Sequence, residues 1–176
     1  MKWTAKNIAL CAVLAALALG LSTLEGLFPI SLLVPLLVIP GLLPGMKLGL
    51  ANIVTVFALY QLGAGAALAI LLTRCLLGGL FAGNLSAMLF SVLGGLTAML
   101  VMIFLRRLPK LSVYGVSIGG AAAHNIGQMA AAVITLGSTM VLGYLPFLLA
   151  VSLFTGALTG FITVLLLRAT RHIRFH

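Results

Sequence analysis

The run LSAMLFSVLGGLTAMLVMIFLRRLPK, residues 85–110, decides how this chain folds. From Leu85 to Leu105 it carries no charge, and then Arg106, Arg107 and Lys110 follow within a few positions. A bilayer core about 30 Å thick asks for roughly 20 apolar residues in helical form. Cations gather where such a helix emerges on the cytoplasmic side. The run therefore reads as a membrane-spanning helix with its C-terminal end inside.

The rest of the chain has the same character. Of its 176 residues 63% are hydrophobic and 6% are charged, against about 25% charged in an ordinary soluble domain. Glu25 is the single acid. The apolar stretches are continuous rather than alternating, which excludes a transmembrane β-barrel. The expected fold is an all-α integral membrane protein, one domain over 1–176. The first apolar run follows Lys2 and Lys6 and is read as a retained helix, because no polar domain comes after it. A net charge of +9 would suggest nucleic acid in a soluble chain. Here the cations flank apolar segments, where they set orientation and meet anionic lipid. Cys11 and Cys75 fall inside apolar runs and read as packing residues.

Six helices are expected, at about 5–25, 48–62, 64–83, 85–105, 112–136 and 144–167. Gly63 and Gly65 make the turn between the second and third. Lys2, Lys6, Arg106, Arg107, Lys110, Arg168, Arg171 and Arg174 then share the cytoplasmic side with both termini. The segment PISLLVPLLVIPGLLPG, 29–45, carries four prolines and is too broken for a span. It reads as an extracellular loop, either re-entrant or lying on the surface. Small residues recur at spacings that let helices approach closely: Ala12 and Ala16 with Ala5 and Ala9 beside them, Gly79 and Gly83, Gly115 and Gly119, Gly156 and Gly160.

Polar side chains are costly at bilayer depth and turn toward protein or water. The fifth helix holds GAAAHNIGQMAAAV, residues 120–133. His124 and Gln128 lie four apart and share a face, with Asn125 beside them. Alanines around them leave room. The trio either lines a ligand path or makes structural hydrogen bonds. Arg74, midway along the third helix, keeps its proton and must pair or meet an anion. Glu25 can pair with Arg74 or with Lys47, and the cation left over favours an anionic ligand, while an Arg74–Glu25 bridge that holds helices together is the other reading. Asn52 points inward just below the outer boundary, and Asn84 can cap the fourth helix.

Several chemistries are excluded. There is no Walker phosphate loop. No second carboxylate exists for paired-acid hydrolysis or for holding magnesium on a diphosphate. No histidine or cysteine spacing suits a metal. The chain is not expected to be an enzyme working alone, and no cofactor is implied.

PGMKLGLANI at 44–53, RCLLGGLFAG at 74–83 and GAAAHNIGQ at 120–128 together resemble the Gx transporter family, also labelled heptaprenyl diphosphate synthase component I. The resemblance covers about Lys6 to Leu167. That family is similar to the substrate-binding S components of energy-coupling factor (ECF) importers. The resemblance implies a six-helix subunit in a bacterial or archaeal cell membrane, binding a small molecule from outside. Its partners would be a membrane coupling subunit and two cytosolic ATPases, docked on small residues of the first helix, here Ala9, Ala12 and Ala16. The loop 26–46 would cover the site. The substrate region carried over is Lys47, Asn52, Arg74, His124, Asn125 and Gln128, with Glu25 near it. The synthase label implies instead a membrane accessory role beside a soluble prenyl diphosphate synthase, although the chain has no aspartate with which to build that enzyme's site.

Overall fold

The computed structural model describes residues 5–27 and 50–172. The proline-rich segment 29–45 and Lys47 lie outside the described residues. The described chain is helical throughout: α1 (Ala5–Leu27), α2 (Leu50–Gln61), α3 (Ala64–Ala82), α4 (Leu85–Arg106), α5 (Val113–Leu136) and α6 (Leu145–Ala169), with a 3-10 turn at Thr139–Tyr144 before α6. Four stretches are long and apolar enough to cross a membrane: Ala5–Glu25, Ala64–Ala82, Leu85–Arg106 and Thr139–Ala169. The chain is a multi-pass membrane protein.

Two helices stand apart from the other spans. α2 has only 12 residues, about 18 Å at 1.5 Å per residue, which is short of a bilayer core. α5 is long enough at 24 residues, but His124, Asn125, Gln128 and its glycines make it less apolar than those four stretches. It is a polar-centred helix held between two others, α4 and α6.

α2 is the central element. Ala51 and the whole run Ile53–Leu59 are buried, as befits a helix apolar on every side. It packs on α1, α3 and α6. Charged groups hold both its ends. The Glu25 carboxylate accepts from the Leu50 backbone N–H at 2.7 Å, and the Arg106 guanidinium donates to the Leu59 carbonyl while lying 5.0 Å from the centre of the Tyr60 ring. Each partner meets a backbone group that a helix end leaves unpaired, and each has the sign that the helix dipole favours. Gln61 donates to the Thr170 hydroxyl at 3.3 Å, tying the same end of α2 to the end of α6.

Bare glycine backbone lets α5 sit between its neighbours. At the α4 crossing, a Cβ on Gly127 would stand 2.6 Å from the Leu93 carbonyl oxygen. The Thr97 hydroxyl lies 3.0 Å from the Ala123 carbonyl across the same crossing. At the α6 crossing, Gly156 faces the backbone of Ile118 and Gly160 that of Tyr114. Of the glycine pairs marked by spacing, Gly156 and Gly160 are true crossing points. Gly83 is not: it ends α3 in the left-handed region at φ 59°, its N–H turned back to Gly79 and Leu80, a helix stop that L side chains resist. Gly63, at φ 93°, makes the α2–α3 turn, whereas Gly65 lies within the first turn of α3. Asn84 caps α4 by accepting from Ala87 N–H at 3.0 Å.

Two predictions follow from this packing. Gly127→Ala should destabilise the detergent-solubilised protein by about 1–3 kcal/mol, the usual range for forcing a group into a packed contact. Gly20→Ala, with nothing within 4 Å of the added carbon, should be neutral or slightly stabilising. Thermal unfolding followed by circular dichroism compares the two, and equal midpoints would remove the close crossing. Glu25→Gln keeps the shape of the α2 cap and removes its charge. It should lower stability by about 1–2 kcal/mol, the difference between a charged and a neutral hydrogen bond, read from the same melts.

Candidate functional site

A cavity of about 540 Å³ lies among the helices. Its walls come from the end of α1 (Glu25), the start of α2 (Asn52), the middle of α3 (Arg74), the start of α4 (Asn84), and α5 and α6. Of the seven residues singled out from sequence for substrate, six line this one cavity: Glu25, Asn52, Arg74, His124, Asn125 and Gln128. Lys47 lies outside the described residues.

Each side chain arrives by a local cause. His124 and Gln128 project one helical turn apart from α5 across Gly94 of α4. A Cβ on Gly94 would come within 2.9 Å of both side chains. The absence of a side chain there makes room for two polar ones. Asn125 points the other way round α5 and donates to the Leu148 carbonyl of α6 at 2.8 Å. It therefore has a structural task, linking α5 to α6, while still lining the cavity.

Arg74 donates from Nη2 to the Asn52 side-chain oxygen at 2.8 Å. Its Nε is buried and has no hydrogen-bond partner among the described residues. The Asn52 amide oxygen is a neutral partner that orients the guanidinium, and the charge of Glu25 acts on the same group. Glu25 is in the same cavity, with one oxygen committed to the N–H of Leu50. The site thus holds a fixed cation, one carboxylate already engaged at a helix end, and three polar side chains of α5. Low-dielectric walls strengthen the field of such a cation. The arrangement can hold an anion. Among the described residues no group of three or more histidine, cysteine or acidic side chains could hold a metal ion.

Sequence reasoning missed two contributions. Gly94 was visible only as part of a glycine pair inside an apolar run. Hydroxyls of Ser22, Ser91, Thr135, Thr155 and Thr159 also line the cavity. A membrane helix carries serine and threonine cheaply, since their hydroxyls bond back to their own backbone, as Thr155 does to Val151. They therefore leave no mark in the sequence. On the opposite side of the protein's surface question, Ala9, Ala12 and Ala16 of α1 are all exposed, while Cys11, Ala15 and Ala18 turn inward.

One family model, described as heptaprenyl diphosphate synthase component I, matches residues 14–166. No curated protein and no solved structure matches the chain. With that match running through α2 to α5 in full and through most of α1 and α6, the chain belongs to the heptaprenyl diphosphate synthase component I family.

Proposed function

We propose that this chain is the substrate-binding membrane subunit of an ECF-type importer, and that its substrate is a small anionic or polar molecule. The observation that carries the reading is the 540 Å³ cavity in which Arg74, Asn52, His124, Asn125 and Gln128 converge. Its size suits a small ligand, and its mix of apolar wall and a few placed polar groups is typical of such sites. In this reading all six helices lie in the membrane and both termini are cytoplasmic. Lys6, Arg106, Arg107, Lys110, Arg168 and Arg171 then mark the inner side, and the cavity faces outward. A membrane coupling subunit and two cytosolic ATPases supply the energy. The exposed small residues Ala9, Ala12 and Ala16 form the docking face, where a partner helix can approach closely.

The chain binds rather than catalyses in this reading. Diphosphate chemistry with magnesium recruits carboxylates, and the one carboxylate of this protein caps α2. A second reading is favoured by the family description: an accessory membrane subunit beside a soluble prenyl diphosphate synthase. Copurification separates the two. Two ATPases and a coupling subunit accompany an importer, whereas a soluble synthase accompanies an accessory subunit.

Arg74→Gln should weaken binding of a small phosphate or carboxylate by about tenfold or more, because a charged hydrogen bond contributes roughly 1.5–3 kcal/mol. Titration calorimetry on the folded variant measures this, and unchanged affinity would take Arg74 out of the site. Ala12→Leu together with Ala16→Leu should abolish copurification of the partner subunits while leaving ligand affinity in the isolated chain as it was. Retention of partners by this double variant would move the docking face off α1.

A further inference from the structure

Arg74 faces two spaces. Besides the central cavity, a second one of about 310 Å³ lies on the outer flank of α3. Its floor is α3, where Arg74, Gly78 and Ala82 recur one turn apart. Its walls are α1, at Leu19, and α4, at Ala87. The two spaces share Ser22, Arg74, Ala87 and Ser91, one residue from α1, one from α3 and two from α4. They therefore meet at Arg74, whose buried Nε has no hydrogen-bond partner among the described residues.

The two differ in what surrounds them. The central cavity is ringed by α5 and α6 and by polar side chains. The groove opens on the apolar outer face of α3, where Leu80 is 69% and Phe81 76% exposed. In a membrane protein such residues face lipid chains. Gly78 and Gly79 and the small side chains of Ala82 and Ala87 line it. Below the junction, Cys75 and Leu19 supply an apolar lining.

The geometry points to an amphiphile as the ligand: an anionic head, phosphate or carboxylate in class, seated at Arg74, with an apolar chain lying in the α1–α3–α4 groove. This rests on the proposed anion site at Arg74 and names the class of molecule that would use it. A cation that borders both a polar cavity and an apolar groove complements a molecule with those two parts. A small hydrophilic anion would use the central cavity alone and leave the groove without a role. The head would be oriented by Arg74 with Asn52 behind it, while the chain stays in hydrocarbon throughout. Such a ligand can reach the site sideways from the bilayer, between α1 and α4.

The test uses the whole chain in phosphatidylcholine nanodiscs and a long-chain alkyl phosphate carrying a photoreactive diazirine in its chain. Adducts should concentrate on peptides containing Leu19, Gly78 and Ala82, and should fall by about tenfold in folded Arg74→Gln, the loss expected for a charged contact. Ala82→Trp, which fills the groove without touching Arg74, should remove the adducts and leave binding of inorganic phosphate unchanged. Displacement of the probe by phosphatidylglycerol would support the same chemistry and name the bilayer's own anionic lipid as its source. If the adducts spread over all exposed apolar faces and ignore Arg74, while inorganic phosphate still binds in an Arg74-dependent way, the amphiphile is wrong and the anion site stands. If neither probe depends on Arg74, both fail.

Discussion

Everything in this bundle depends on a helix too short to cross the membrane that surrounds it. A free end of α2 in hydrocarbon would leave backbone N–H and carbonyl groups without water or partners, each at a cost of several kcal/mol. The protein answers with charge at both ends. Glu25 takes the N–H of Leu50, and Arg106 reaches the carbonyl of Leu59. The chain has one carboxylate and uses it at the positive end of a buried helix dipole, where an anion is favoured. The turn that this carboxylate caps lines the cavity at Ala51 and Asn52.

α5 solves a related problem. It carries the most polar group of side chains in the described membrane region, yet it must pack. Its glycines and alanines let α4 and α6 come up to its backbone, at Gly127 on one side and opposite Gly156 and Gly160 on the other. The close crossings hold the helix in one rotation. That rotation aims His124 and Gln128 over Gly94 and brings Asn125 to the Leu148 carbonyl. The polar trio is thus split between two jobs. Two members stand over bare backbone at the cavity wall, and one also ties helices together.

Arg74 shows how the same economy shapes the site's electrostatics. The guanidinium is steered by an amide oxygen and also feels the charge of Glu25, which lines the same cavity. Asn52 provides that amide from the first turn of α2, so the placement of α2 also sets where Arg74 points. The placement of α2, its cap and the orientation of Arg74 are one linked arrangement. A change in any of them should be felt at the others.

The amino-acid sequence by itself determined the solvent, the helical class and the list of polar residues that had to be enclosed. Apolar runs such as Leu85–Leu105 are set by bilayer thickness, and caps such as Asn84 are set by neighbours a turn away, so both are legible in one dimension. Which faces turn inward was decided only by tertiary structure. These helices are apolar nearly all round, and periodicity then says little about rotation. Gly79 and Gly83 look alike in spacing, yet one packs against Met88 and the other stops its helix. Glu25 and Leu50 lie 25 positions apart, and Arg74 and Asn52 lie 22 apart. Those meetings depend on where whole helices stand, because helix packing against helix, rather than the order of residues along the chain, chooses the partner of each buried polar group.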